Sequence, residues 1–237
     1  VPKVRQLDLI LNFYKLEHTA CFWRNLHVAP DTFDALLGMI EDHDSFQTTN
    51  DLQPQQQQIP ISSQLAITLY RLGHFGNAAS VESITQWAGC SASTVVACTQ
   101  CVFGAVTSLH DTMIRKPTAG EKEAAWNWVE EQSCSAWCGG YCMVDGTLVP
   151  LSDKPGMHGE AYFDHKSHYL LSLQVINMPN LHIIDYVLGP TGSMHDATAF
   201  KLSDMAKDPT AWFTDHERVW ADSAYALQPW CIVPYKK

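Results

Sequence analysis

The chain has 237 residues, 46% of them hydrophobic and 17% charged, and its formal net charge is −10. That length buries a sizeable core in one or two domains, and that composition excludes a disordered or fibrous chain. No apolar run is long enough to span a membrane, and the acidic balance speaks against nucleic-acid binding driven by net charge.

The first residues, Val1-Pro2-Lys3-Val4-Arg5, carry neither an initiator Met nor a signal-peptide core, as expected of a sequence that begins inside a longer parent. With no secretion signal, a reducing intracellular compartment is expected. The eight cysteines sit in apolar or helical patterns and read as buried free thiols. The CxxC spacing of Cys98 and Cys101, and the close set Cys134, Cys138 and Cys142, leave a structural zinc site as the alternative.

Residues 7–26 carry Leu7, Ile10, Leu11 and Tyr14 at helical spacing. Pro30 opens a second helix through Ile40, with Phe33, Leu36, Leu37 and Ile40 on one face. The polar stretch 42–60, with Gln55 to Gln58 between two prolines, reads as a linker. Ser62 or Ser63 is expected to cap a helix over Gln64–Leu72. Ser80–Ala88, a turn at Gly89 and a Ser91-capped second helix form a helix-turn-helix pattern. That second helix holds no Lys or Arg from Ser91 to Val106, so either it reads DNA without the phosphate contribution or the unit is three packed helices with no DNA contact. Glu121–Gln132 is an acidic amphipathic helix with Trp126 and Val129 on its apolar face.

From Tyr141 the pattern turns to strands: 141–150, 168–178, 181–188, then a helix from His195 to about Met205, then strands 218–222 and 231–233. The order β-β-β-α-β predicts a mixed sheet in which the fourth strand returns beside the first. The fold class expected is α+β, in three parts: a helical region and linker over 1–59, a helix-turn-helix-like unit over 60–118, and a sheet domain over 119–237.

Two acids stand out because each interrupts an apolar strand. Asp145 lies in Tyr141-Cys142-Met143-Val144-Asp145-Gly146-Thr147, and Asp222 ends Val219-Trp220-Ala221-Asp222. A buried carboxylate is costly without a compensating charge, and two brought together repel unless a cation lies between them. Hard oxygen donors suit Mg²⁺ or Mn²⁺, and two such ions serve phosphoryl transfer. The competing reading makes Asp145-Gly146 a simple turn. Asp196, at the start of a helix beside His195, reads as a cap or as a supporting carboxylate. Lys154 and Lys166 are either phosphate contacts or solvated lysines.

The set Val144-Asp145-Gly146-Thr147, His165-Lys166-Ser167-His168-Tyr169, Gly189-Pro190-Thr191-Gly192-Ser193-Met194-His195-Asp196-Ala197, Ala221-Asp222-Ser223-Ala224-Tyr225 and Pro229-Trp230-Cys231-Ile232-Val233-Pro234-Tyr235 resembles the DDE endonuclease domain of PIF/Harbinger-type transposases and their domesticated relatives. The resemblance covers roughly 60–237 and is most specific from 141 onward. It implies a ribonuclease-H-like fold and a nuclear, metal-dependent DNA endonuclease using Mg²⁺ or Mn²⁺. It implies Asp145 and Asp222 as catalytic metal ligands, Asp196 as a lesser ligand, and His195 and Lys166 as supporting or phosphate-contacting residues. In related two-component systems a separate Myb-like protein supplies DNA binding, so such a partner is implied too. The chain departs from the pattern in three places. His165-Lys166 stands for the usual Arg-Lys, and Ala224 stands for a Gly. The third acid, a Glu on a helix past the Pro-Tyr motif, lies beyond Lys237, so weak or absent catalysis is expected of this stretch. A domesticated, non-catalytic DNA- or protein-binding module is the alternative.

Overall fold

Side-chain oxygens set several helix starts. Ser80 Oγ accepts from Ser83 N and Ser91 Oγ from Thr94 N, both at 3.2 Å. Thr118 and Glu121 form a reciprocal capping box at the start of Ala119–Gln132. The computed structural model in which these contacts are seen describes residues 5–47, 59–163, 169–191 and 194–234. The Gln55–Gln58 run, Lys166 with its His165–His168 neighbours, and Gly192-Ser193 lie outside them.

The chain divides into two compact units, Val1–His110 and Asp111–Lys237. In the first, short helical pieces, Gln6–Leu9, a π turn Ile10–Tyr14, Lys15–Glu17 and Thr19–Leu26, precede Pro30–Ile40, Ile61–Gly73, Val81–Ala88 and Ala92–Ser108. Phe22, Leu26, Phe33, Ile40, Leu65, Ile67, Ile84, Val95 and Val102 share one core. The region expected over 1–59 and the one expected over 60–118 are therefore a single unit, because neither helix set has a closed apolar face without the other. The boundary falls at His110, and Thr118 instead opens the first long helix of the second unit. The helix expected to be capped by Ser62 or Ser63 begins earlier, at Ile61 after Pro60, with no side-chain cap. The helices Val81–Ala88 and Ala92–Ser108 meet at 96°, with Gly89 in the left-handed region (φ 66°) ending the first. Among the described residues no single helix is long and apolar enough to cross a membrane.

The second unit holds a five-stranded mixed sheet: β1 Gly140–Pro150, β2 Leu170–Asn177, β3 Ile183–Thr191, β4 Arg218–Trp220 and β5 Cys231–Ile232. Its order is β3-β2-β1-β4-β5. β1–β2 and β2–β3 pair antiparallel, while β1–β4 and β4–β5 pair parallel. Between β3 and β4 run two short helices, Asp196–Phe200 and Asp204–Lys207, where one was expected. The break occurs at Ser203, whose hydroxyl accepts from Ala206 N and caps the second. The architecture is thus mixed α+β.

Tyr141, Cys142, Val144, Ile176, Ile184, Phe200, Phe213 and Val219 form the core of this unit. Two charged groups are embedded in it. Lys122 Nζ lies 2.9 Å from Glu217 Oε1, donates to Trp212 O at 3.0 Å and stands over the Tyr141 ring. Asp185 on β3 accepts from Tyr186 N and from Met205 N, tying β3 to the helix Asp204–Lys207. All eight cysteines are free thiols, with Cys98, Cys142 and Cys231 buried.

Candidate functional site

The parallel pairing of β1 with β4 runs Cys142↔Val219 and Met143↔Trp220. Asp145 lies two residues beyond Met143 on β1, and Asp222 two residues beyond Trp220, just past the end of β4. The register thus leads both acids, remote in sequence, toward the same end of the sheet. Local backbone bonds orient both carboxylates. Asp145 Oδ1 accepts from Gly146 N and Asp222 Oδ1 from Ala224 N, each at 2.8 Å.

Asp145 does not mark a turn: β1 continues straight through Gly146 to Pro150. Nor is its charge buried. Gly140 to Val144 are largely covered, but Asp145 is exposed, as is Asp222. The physical reason is the length of β4. It ends at Trp220, so β1 beyond Val144 has a neighbour only on the β2 side and water reaches the other. The desolvation argument that singled out Asp145 therefore fails, although the position it pointed to lies toward the same end of the sheet as Asp222.

Asp196 is the first residue of its helix, but its side chain does not cap. It turns back onto the sheet, where Oδ1 accepts from Gln174 Nε2 at 2.8 Å. Gln174 is completely buried on β2, and its Oε1 accepts the Tyr225 hydroxyl at 2.5 Å. Gly146 pairs with Gln174 across β1 and β2. A Cβ at position 146 would lie 2.6 Å from the Gln174 amide nitrogen and closer still to Asp196 Oδ1. Only a glycine lets the Asp196 carboxylate rest on the strand beside Asp145.

The Tyr225 hydroxyl reports the electrostatics of the group. Burial pushes its pKa well above the ordinary range, and the negative charges of Asp196, Asp145 and Asp222 push it the same way, in that order. The charges of all three carboxylates are thus felt at one hydroxyl. Among the described residues none of them is paired with a Lys or Arg, and no group of three His, Cys, Asp or Glu side chains is drawn close enough to hold a metal ion. As donors they fit a hard divalent cation: all are carboxylate oxygens, and Asp145 and Asp222 are solvent-accessible. The same search finds no zinc-type cluster among the cysteines within those residues.

His195 is exposed at the helix entry, and its side chain makes no cap. Lys154 is engaged, paired with Glu160 and standing over the Tyr169 ring. Sequence reading passed over Gln174 and Tyr225. The available signal was Gln174 itself, a large polar residue at an inward position of a strand whose inward set is otherwise Leu170, Ser172 and Ile176. An apolar groove of about 500 Å³ lies elsewhere, lined by Trp128, Trp137, Met143, Trp220 and Val233, and none of the three carboxylates faces it.

Comparison with known families bears on this segment. Residues 144–237 match the DDE superfamily endonuclease family. The match begins one residue before Asp145 and takes in Gln174, Asp196, Asp222 and Tyr225. No curated protein and no solved structure matches the chain significantly.

Proposed function

We propose that the chain carries the nuclease core of a PIF/Harbinger-type, transposase-derived DNA endonuclease with a ribonuclease-H-like sheet, cutting DNA phosphodiester bonds in a divalent-metal-dependent reaction. The observation that supports this reading is the parallel β1–β4 pairing, whose last partners Met143 and Trp220 stand two residues before Asp145 and Asp222 respectively, inside the segment that matches a DDE endonuclease family. Asp145 and Asp222 hold the metal, and Asp196 supplies a further carboxylate from the helix entry. When bound, Mg²⁺ or Mn²⁺ activates the attacking water and stabilises the leaving oxygen. The open flank of β1 beyond Val144 gives a DNA backbone access to both acids. His195, exposed at the rim, and Lys166 are the residues for phosphate contact.

The test is DNA nicking in Mg²⁺ or Mn²⁺ by the protein in its full reading frame. Asp145→Asn and Asp222→Asn should each abolish cleavage with little loss of stability, since both side chains are exposed. Undiminished nicking by Asp145→Asn would end the assignment.

One observation favours a different role for the helical unit. Val96, Phe103 and Val106 on the helix Ala92–Ser108 are exposed, and that helix holds no basic residue. Such a face suits a protein partner better than a phosphate backbone. The reading fits a division of labour in which a separate Myb-like protein selects the DNA in the nucleus. It also fits the alternative of a domesticated binding module, which predicts partner binding unaffected by Asp145→Asn.

A further inference from the structure

We infer that Gln174 and Tyr225 are positioning residues that hold the Asp196 carboxylate in the metal site. The inference rests on the reading of that site given above and adds to it the device that keeps its third carboxylate in place.

Asp196 has reason to leave. It is half-buried at the first turn of a five-residue helix, its carboxylate lies against Gly146, the neighbour of Asp145, and it acts with Asp145 and Asp222 on the Tyr225 hydroxyl. Repulsion from two like charges favours a rotation that carries its carboxylate outward to water. Among the described residues, a hydrogen bond from Gln174 Nε2 opposes that rotation. Gln174 is well suited to hold it, because the amide cannot turn over. Its Oε1 accepts from the Tyr225 hydroxyl. A flipped amide would set its oxygen against Asp196 Oδ1, acceptor to acceptor.

Tyr225 is fixed in turn. Its ring is buried and meets Phe200 edge to face, with centroids 5.5 Å apart. Phe200 closes the same short helix that Asp196 opens. The chain Tyr225 O–H to Gln174 to Asp196 thus runs from the segment just after Asp222, through the core of β2, to the helix entry. It links the turn that carries one metal carboxylate to the side chain of another. Gly146 leaves the space in which the final bond is made.

Partners of this kind, behind a ligand, characteristically change metal affinity by about 10- to 100-fold when removed. The experiment is Mn²⁺ titration of the chain, with free ion counted by electron paramagnetic resonance and folding checked by circular dichroism. Wild type should bind, and Asp145→Asn should lose binding. Gln174→Leu and Tyr225→Phe should each weaken binding about tenfold. Tyr225→Phe keeps the ring packing on Phe200, so it serves if Gln174→Leu does not fold. In an Asp196→Asn background, Tyr225→Phe should add nothing, because the residue it acts through is already neutral.

Wild-type affinity in Tyr225→Phe, with binding lost in Asp145→Asn, overturns the positioning role and leaves the site standing. An equal loss from Tyr225→Phe with and without Asp196→Asn also overturns it, since the residue then acts through the fold. Equal binding by wild type and Asp145→Asn, or none by either, refutes the site reading and this inference with it.

Discussion

Gly146→Ala is the most economical perturbation of the site. An added methyl at this position points at two side-chain ends, 2.6 Å from Gln174 Nε2 and closer to Asp196 Oδ1. Both distances are well inside contact, so one group must move. Gln174 is buried and bonded at both ends, whereas Asp196 is only half-buried. Asp196 is the group that yields, and its bond to Gln174 breaks. Overpacking of this kind costs about 1–3 kcal/mol. Replacing a strand glycine by alanine returns roughly 0.5–1 kcal/mol of backbone entropy. Because only side chains have to shift, the net loss should be small, about 1 kcal/mol. That corresponds to a fall of about 3–5 °C in the melting of the second unit. The larger effect is on the site, where Mn²⁺ affinity should drop as it does in Gln174→Leu. Urea denaturation and Mn²⁺ titration of the same preparation measure both. A Gly146→Ala protein as stable as wild type and binding Mn²⁺ equally well would refute the account of why glycine stands here.

Three other outcomes are expected. Lys122→Met should cost about 3–5 kcal/mol in urea denaturation, because it strands the buried Glu217 carboxylate; adding Glu217→Gln should recover part of the loss, and no loss in Lys122→Met would show the pair to be idle. Burial raises the Asp185 pKa above its ordinary value, so its contribution to stability is fully present below the unfolded aspartate pKa, near 3.9, and is lost as pH rises through the higher folded value. Wild type should therefore gain stability relative to Asp185→Asn as pH falls from 7 towards 4, and a difference that does not change with pH would contradict this. Burial also pushes the Cys98 and Cys231 thiols up to about 11, leaving on the order of one thiolate in a thousand of each at pH 8, and pushes the Cys142 thiol well above its ordinary value. Iodoacetamide at that pH should modify exposed Cys134 first by mass spectrometry, and early labelling of Cys142 would show that the sheet is open.

Some of this was legible in the residues and some was not, for reasons that differ. The strands near 141–150, 170–177 and 183–191 are apolar runs bounded by turn residues, so their positions follow from pattern. That β1 and β4 are neighbours follows from chain order, because the meander leaves β1 with a free edge for the strand that returns after the helical crossover. The exposure of Asp145 does not follow, because it depends on β4 stopping at Trp220 and the run Val219-Trp220-Ala221 gives no sign of an early stop. For Asp196 the residues leave a cap and a supporting carboxylate both open, because a carboxylate at a helix start commonly caps it. Its turn toward the sheet depends on a glycine some fifty residues earlier in the chain. The Tyr225–Gln174–Asp196 chain joins three elements that carry no shared local pattern, so no window of sequence contains it. The split at residue 110 was hidden because the helices on either side of the linker complete one core.

The parallel strand pair has a consequence for folding order. Antiparallel β2 and β3 are joined by a short connection and can zip from it, but β4 docks on β1 only after the intervening helices have been traversed. The two acids meet only when that last, long-range closure is made. A nascent or partly melted copy therefore holds each carboxylate in isolation, and the site proposed above forms only in a molecule that has finished folding.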